Sequence, residues 1–232
     1  MRSLSIGDLP VTRYSIVLPF LNQIRKLKLL AVTLNHKCQC LFFEKCPNLE
    51  VLFTQDVCGD RGLQVIGQFC KKLRKLTHNG VFDPWWGLIG MWQRMLGKED
   101  GITDLPLDNG VRAMLMGCNK LERLDISLRH EGLTDVGLEY IGKYGANLRS
   151  LSLTHIGKSN AGLVKLSEGC PRLRKLKLRG CPFCEQVVAR YVFNILSLRY
   201  VWFESSDRES SDRDSSDCVR TYLALTRPEF QL

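Results

Sequence analysis

The sequence predicts an open α/β solenoid in which a short strand, a turn and a helix recur, with parallel strands inside and helices outside. Three observations predict it. The phrase CPNLEVL, at 46–52, returns four more times with the same apolar positions. The step between copies is close to 25 residues. The stretch GLVKLSEGC, which precedes one copy, spaces its leucines three apart, as a helix facing a core would.

The position held by Cys46 shows the period most clearly. Its successive steps are 25, 24, 48, 27, 25 and 25 residues, and the long step is twice 24. These lengths are typical of leucine-rich repeats, and one unit cannot bury its own apolar face. We therefore expect the units to stack into an open horseshoe segment over residues 18–203. The equivalent positions are Leu21, Cys46, Cys70, Cys118, Gly145, Cys170 and Ile195.

Each part of the unit has its own signature. In NLRSLSL the leucines end in a two-residue alternation, which suits a strand with one buried face. The shared third apolar position is predicted to lie inward on successive strands, at Leu27, Leu52, Leu76, Leu124, Leu151, Leu176 and Val201. Turn residues before the helices should supply side-chain acceptors for free helix N–H groups, at Asp60, Thr134, Asp135, Ser159 and Asn160.

Four stretches flank or interrupt the repeats. Residues 1–17 are a lead-in, and residues 218–232 are a C-terminal tail. Residues 77–101 lack the leucine signature, and the apolar residues from Trp85 to Leu96 fit an amphipathic helix that either patches the solenoid core or binds a partner. The Ser/Asp/Arg run at 204–217 fits a disordered linker, or alternatively a substrate of an acidophilic kinase.

Composition excludes several classes of protein. The chain has 232 residues, of which 44% are hydrophobic and 25% charged, with no apolar run near the ~20 residues that a membrane span requires. Asp8 and Pro10 interrupt the start where a signal peptide needs a continuous apolar core. We therefore expect a globular, water-soluble protein of the nucleus, the cytoplasm or both.

The ten cysteines are interpreted as buried thiols in a reducing compartment. Cys46, Cys70, Cys118 and Cys170 occupy the same repeat position, which predicts small apolar side chains stacked along the core. Zinc is the alternative, with the pairs Cys181/Cys184 and Cys38/Cys40 as candidate ligands. The second pair has CxC spacing and lies about five units from the first, so no structural metal site is expected.

Catalytic constellations are absent from the sequence. It has no P-loop and no GxSxG elbow, and its acidic residues follow turn and surface positions. The histidines lie in different units, none beside a Ser or Cys nucleophile, and we interpret each as a turn or surface residue: His36, His78, His130 and His155. Because repeat solenoids usually bind, the prediction is a non-catalytic interaction module.

The exposed side of the predicted strands is basic with an aromatic edge. Together with a net charge of +9 and a pI near 9.1, it favours an anionic partner such as a carboxylate ligand, an inositol phosphate or an acidic peptide. A solvated lysine-rich face without a specific ligand stays open as an interpretation. Binding to nucleic acid would rest on charge alone, so no specific nucleic-acid partner is predicted.

Several phrases resemble one family. QIRKLKLL, ITDLPLDNGVR, LTDVGLEYIGKY, GCPRLRKLKLRGC and SLRYVW are similar to the C-terminal half of the plant coronatine-insensitive F-box/leucine-rich-repeat proteins. ITDLPLDNGVR is the most specific of them, because the repeat pattern does not require that string. These proteins are jasmonate receptors of a Skp1–cullin–F-box ubiquitin ligase. The resemblance covers about Leu18 to Trp202.

The resemblance implies ligands and a site. In the family, the horseshoe holds jasmonoyl-isoleucine and the degron of a transcriptional repressor, with an inositol phosphate beneath, and the repressor is then degraded through ubiquitin. Arg179 matches the family arginine near ligand and degron, and Trp202 matches the tryptophan at the rim. Lys175 matches a basic residue of the same strand as Arg179. No cofactor other than the inositol phosphate is implied.

Departures from the family lead to a second hypothesis. Ser127 stands where the family has a tyrosine, Ser150 and Ser152 replace a tryptophan and a leucine, and Gln55 replaces an arginine. Between Leu76 and Ile102 the family has roughly two more repeats. No F-box precedes Leu18, so docking of the Skp1 adaptor is not predicted for these residues. The alternative function is therefore a non-catalytic scaffold or decoy that has lost hormone binding.

Overall fold

One nine-stranded sheet organises the protein, and its strands are neighbours in chain order. The computed structural model describes residues 2–6, 16–30, 36–54, 59–79, 106–128, 132–192, 194–205 and 222–226. The first eight strands pair in parallel, and the ninth is antiparallel to the eighth. The strands are β1 (Ser3–Ile6), β2 (Lys26–Leu29), β3 (Val51–Thr54), β4 (Lys75–Asn79), β5 (Arg123–Ser127), β6 (Ser150–Thr154), β7 (Lys175–Cys181), β8 (Tyr200–Ser205) and β9 (Tyr222–Thr226).

Helices form a second layer against one side of the sheet, and successive helices contact each other. None of those in the described ranges is long and apolar enough to cross a membrane. This arrangement confirms the predicted leucine-rich-repeat solenoid. The helices are a 3-10 helix (Leu18–Gln23), α1 (His36–Glu44), α2 (Gly59–Phe69), α3 (Asp108–Gly117), α4 (Asp135–Tyr144), α5 (Asn160–Ser167) and α6 (Glu185–Val192).

The inward side chains of the strands form continuous rows because the strands are in register. The predicted row is confirmed: its members pair across β2 to β8, and each is at most 3% exposed. Fully burying a leucine stabilises the fold by about 1.5–3 kcal/mol, so these rows hold adjacent units together. The row consists of Leu27, Leu52, Leu76, Leu124, Leu151, Leu176 and Val201.

The repeated cysteines are buried, as predicted. Cys46, Cys70, Cys118 and Cys170 are at most 2% exposed. The Cys118 thiol donates to the Cys70 carbonyl oxygen at 3.4 Å, and the Cys170 thiol donates to Ile141, in the last turn of α4, at 3.3 Å. Burial raises the pKa of Cys46, Cys118 and Cys170 to about 12. The thiols of Cys70, Cys118 and Cys170 therefore donate to backbone carbonyls of the preceding unit.

The turn residues before the helices work in two ways. Thr134 and Ser159 cap their own helices by accepting hydrogen bonds from the amides of Val136 and Ala161, as predicted. Asp135, by contrast, binds forward: its Oδ1 accepts from the amides of Lys158 and Ser159 at 2.8 and 3.1 Å.

The same forward contact recurs in three other units. Asp60 accepts from the Gly110 amide, Asp108 accepts from the Thr134 amide, and Asn160 accepts from the Cys184 amide at 3.1 Å. Asp60 therefore supplies an acceptor to a free helix N–H group as predicted, although the group belongs to the following helix, α3. The prediction was wrong for Asp135 and Asn160, which accept from amides that precede the next helix. They instead connect each unit to the following one.

The 48-residue step is a single step in the sheet. β4 pairs directly with β5, where Leu76 lies opposite Leu124, and α2 packs directly on α3. A Cβ atom on Gly117 would overlap the carbonyl of Gly67, so the glycines permit this close approach. No gap is therefore left between these units for the segment predicted at 77–101 to fill. Residues 77–79 belong to β4, and Trp85 to Leu96 lie outside the described residues.

The sheet extends beyond residues 18–203 at both ends. β1 lies within the stretch interpreted as a lead-in, and its Leu4 pairs with Leu27. β9 lies within the predicted tail and returns along β8, with Leu223 opposite Phe203. Glu204 and Ser205 belong to β8 and not to a linker. Neither short strand carries the full repeat phrase, which is why the sequence pattern did not reveal them.

His78 is in the core and not at the surface. It is 2% exposed and lies in the second inward row of the sheet, with Thr54 on β3 and Ile126 on β5 as its neighbours in register. Burial lowers its pKa to about 4, so the ring is neutral near pH 7. The prediction of a turn or surface residue holds for His155, which is half-buried in the turn after β6, but was wrong for His78.

Candidate functional site

The candidate site is the side of the sheet that the helices do not cover, called here the sheet face. Along each strand the buried leucines alternate with side chains on this face, as on β7, where Lys175, Lys177 and Arg179 are exposed. Because the strands are in register, these side chains also form rows across the sheet. The central row is Ser5, Lys28, Phe53, Thr77, Asp125, Ser152, Lys177 and Trp202.

Arg179 lies at the far end of β7, on the sheet face. Its Nε donates to Oε2 of Glu204 at 3.0 Å, and the two side chains are 57% and 10% exposed. The guanidinium keeps its two terminal NH2 groups as further donors. Glu204 was not recognised from the sequence, because it was assigned to the linker. Its carboxylate lowers the positive potential that Arg179 presents to an anion.

A bulge in β7 follows Arg179. The register shifts between Arg179 and Cys181, and Gly180 has φ of +56°. A Cβ atom on Gly180 would come within 2.5 Å of the His155 ring, so this turn requires glycine. The amide of His155 donates to the Arg179 carbonyl at 2.9 Å. The turn at Gly180 and the hydrogen bond from His155 together hold the backbone of Arg179 near the end of β7.

Trp202 is closer to Lys177 than to Lys175. It is opposite Lys177 in the register of β7 and β8, and it is half-buried. Lys175 is the first residue of β7, whereas Arg179 lies near its end. At the usual rise per residue of a strand, the backbones of these two residues are roughly 13 Å apart. The structure therefore brings together Lys177, Arg179, Trp202 and Glu204, called here the β7–β8 cluster, and leaves Lys175 outside it.

The middle of the sheet face is polar and partly acidic. Burial raises the pKa of Asp125, while a hydrogen bond from Ser152 and the charges of Lys177 and Lys75 oppose that rise. This carboxylate lies between the lysines of β2 and β4 and the cations of β7. An incoming anion is therefore favoured at the β7–β8 cluster more than at the centre of the face.

The three substituted serines lie on β5 and β6. Ser127, Ser150 and Ser152 are half-buried, on the same face as Arg179. Ser152 lies between Asp125 and Lys177 in the central row, and Ser127 lies opposite Thr154. None of these side chains provides a wide apolar surface. Gln55 lies outside the described residues.

The two cysteine pairs weighed as zinc ligands are far apart in the sheet order. Cys38 and Cys40 are on α1, between β2 and β3, whereas Cys181 ends β7 and Cys184 follows it. Within the ranges that the structure describes, no three His, Cys, Asp or Glu side chains are grouped so that they could hold a metal ion.

Comparison with curated proteins adds a second line of evidence. The chain is 41% identical over 236 residues to coronatine-insensitive protein 1 of Arabidopsis thaliana, a match that covers 82% of this chain and 40% of that protein. It is 36% identical over 250 residues to coronatine-insensitive protein homolog 1b of Oryza sativa subsp. japonica, covering 87% of this chain and 42% of the relative.

The chain is a coronatine-insensitive-like protein. A more distant relative is the F-box protein FBX14 of Arabidopsis thaliana, 32% identical over 156 residues, covering 62% of this chain and 25% of that protein. No protein-family profile matches the chain. The chain spans about two fifths of the length of the coronatine-insensitive relatives that it matches.

The comparison with the Arabidopsis protein also shows a difference in length within the matched stretch. The match to the Arabidopsis protein spans 236 residues, but only 82% of this chain's 232 residues take part in it. The relative therefore has residues within the stretch that this chain lacks.

Proposed function

We propose that this chain is the non-catalytic recognition solenoid of an F-box/leucine-rich-repeat receptor in a Skp1–cullin–F-box ubiquitin ligase. Its task is to bind a protein marked for ubiquitin-dependent degradation, in the nucleus, the cytoplasm or both. The observation that carries the proposal is the β7–β8 cluster, in which Arg179 presents free guanidinium donors beside Lys177 and Trp202. Family membership supports the assignment to jasmonate signalling.

The chemistry of the cluster suits an anionic group with an attached apolar part. A guanidinium forks onto carboxylate or phosphate oxygens with two parallel hydrogen bonds. The half-buried Trp202 offers apolar area beside it. Jasmonoyl-isoleucine has both features, a carboxylate and hydrocarbon, and the degron of a repressor or an inositol phosphate could engage the same cations.

A second candidate function is a protein-binding scaffold or decoy without a hormone. The observation that favours it is the polar surface of β5 and β6, where Ser127, Ser150 and Ser152 replace a tyrosine, a tryptophan and a leucine of the family. Loss of one buried aromatic anchor in an interface can cost ~2 kcal/mol or more. The pairing of Arg179 with Glu204 further lowers the affinity for an anion.

We therefore expect weak binding of anions and no high-affinity, hormone-dependent capture of repressor. Calorimetry of the chain with jasmonoyl-isoleucine and a repressor degron peptide tests this. Submicromolar binding that requires hormone and is abolished by Arg179→Ala would establish the receptor function and refute the decoy. Hormone-independent binding of the degron peptide, or none, would favour the scaffold.

Two variants separate the cluster from general basic charge. Glu204→Gln removes the carboxylate beside Arg179, so anion affinity should rise by about tenfold or less. Lys28→Ala removes an exposed lysine of β2 on the same face and should change affinity little. Equal losses from Lys28→Ala and Arg179→Ala would indicate nonspecific charge, and a steep salt dependence with DNA would point to nucleic acid.

A further inference from the structure

A second charged surface runs along the edge of the sheet where the strands begin. The residue immediately before each of the strands β2 to β8 is charged. The amide of each member donates to the carbonyl of the member before it, as from Arg174 to Arg149 and from Arg199 to Arg174, both at 2.9 Å. These residues therefore lie side by side, about 4.8 Å apart. In order they are Arg25, Glu50, Arg74, Glu122, Arg149, Arg174 and Arg199.

The two halves of this edge differ in charge. In the first half the signs alternate, and neighbours form ion pairs: Arg25 with Glu50 at 3.2 Å, and Arg74 with Glu122 at 2.8 Å. The second half has three arginines in succession. The acid next to them already accepts from Arg74, and this hydrogen bond is the main reason that the pKa of Glu122 is lowered.

A fourth arginine joins them from the preceding turn. Arg172 donates to Oδ1 of Asn147 at 3.0 Å, and the Asn147 amide group donates to the Asn119 carbonyl at 2.7 Å. This chain of bonds orients Arg172 toward the row. The arginine edge, defined as Arg149, Arg172, Arg174 and Arg199, lines a groove of about 350 Å³ together with Pro171 and Leu196.

Like charges at directly opposite positions of neighbouring strands destabilise a sheet. The first half of the edge avoids this cost through its alternating signs, whereas Arg149 and Arg174 are like charges at neighbouring positions of the arginine edge. A bound anion would offset the repulsion. Four guanidinium groups around one groove exceed the single charge of a carboxylate and suit a phosphate monoester, which carries about −1.5 to −2 charges at pH 7.

We infer that the arginine edge is a binding site for a phosphorylated peptide, with the phosphate held among Arg149, Arg172 and Arg174. Clusters of arginine are a general means of recognising phosphorylated and acidic motifs. Leu196, which is 81% exposed at the rim of the groove, provides apolar contact for a residue next to the phosphorylated one. A single-stranded nucleic acid is less favoured, because the groove residues include no aromatic ring on which a base could stack.

This site is separate from the β7–β8 cluster. Arg174 precedes β7 and Arg179 lies near its end, so their backbones are roughly 16 Å apart along the strand. The inference consequently does not depend on the proposed receptor function. Substitution of Arg179 leaves the edge intact, which allows the two sites to be tested independently.

Fluorescence anisotropy of the full chain with a labelled peptide tests the inference. The probe is a short peptide with one phosphoserine flanked by leucines, compared with the same peptide carrying serine. The phosphopeptide should bind at least about tenfold more tightly, and inorganic phosphate should compete with it. Equal affinity for both peptides would overturn the inference. Tighter binding of a dT oligonucleotide with the same dependence on Arg174 would replace the peptide with nucleic acid.

Arg174→Glu is the most informative variant, because it extends the alternation of signs seen in the first half of the edge. It should lower phosphopeptide affinity about tenfold or more while thermal stability stays equal or rises at low salt. Arg174→Lys keeps the charge but loses the forked geometry, and it should give an intermediate loss.

The matched control is Arg25→Ala, at the equivalent position in the paired half of the edge. Phosphopeptide affinity should be unchanged in Arg25→Ala. A loss in Arg25→Ala as large as in Arg174→Glu would show that binding follows overall charge, and would refute a site at the arginine edge.

Discussion

The buried histidine of β4 should make the solenoid lose stability at mildly acidic pH. Burial lowers the pKa of His78 from 6.5 to about 4. As the pH falls below 6.5, the unfolded chain binds a proton at this ring, whereas the folded chain does not until about pH 4. The stabilising effect of a neutral His78 is therefore complete above pH 6.5 and is lost progressively as the pH falls to about 4.

The size of this effect follows from the two pKa values. Each pKa unit corresponds to about 1.4 kcal/mol, so the difference between 6.5 and about 4 amounts to roughly 3 kcal/mol of unfolding free energy. Two carboxyl groups with shifted pKa values also make the stability depend on pH. Glu122, with a lowered pKa, acts in the same direction, and Asp125, with a raised pKa, acts in the opposite direction.

Urea unfolding of the wild type and of His78→Leu at pH 8 and at pH 4 measures the effect. Leucine occupies the equivalent inward position on β2, β6 and β7, at Leu29, Leu153 and Leu178, so it suits the row. Between the two pH values the wild type should lose about 3 kcal/mol more than the variant. Glu122 and Asp125 are present in both proteins and cancel in this comparison. Equal losses in both proteins would refute a buried, neutral His78.

Three further predictions concern the packing of the units. Leu151→Ala should destabilise by about 2–5 kcal/mol in urea unfolding, because it leaves a cavity in the inward row, whereas the neighbouring Ser150→Ala should change stability by less than about 0.5 kcal/mol. A maleimide should react with Cys46, Cys70, Cys118 and Cys170 only on unfolding, because all four are buried. Cys218, which lies outside the described residues, should react first, and the exposed Cys184 should also react in the native state. Rapid native labelling of the four buried cysteines would contradict their burial. Asp135→Ala should lower the free energy of unfolding by about 1–3 kcal/mol in thermal unfolding, because two amides and the Ser159 hydroxyl lose their acceptor. Glu139→Ala, at an exposed position of the same helix, is the control.

The repeat pattern predicted the sheet because each unit repeats its own local chemistry. The alternation in NLRSLSL and the cysteine position are visible in one unit, and the structure places both where they were predicted. Contacts between units were harder to predict. The forward hydrogen bond of Asp135 and the pairing of Arg179 with Glu204 join residues 23 to 25 positions apart, and each residue alone fits an ordinary turn or surface position.

The sequence by itself determined the solenoid, the inward rows and the buried thiols, since apolar spacing and repeat length are properties of the chain before it folds. Only the tertiary structure decided that the 48-residue step is one step of the sheet, that β1 and β9 extend it, and that His78 is in the core. It also decided which charges meet: Glu204 beside Arg179 on the sheet face, and an uninterrupted row of arginines on the edge. These follow from strand register, which fixes neighbours across the sheet and is set by hydrogen bonding between units.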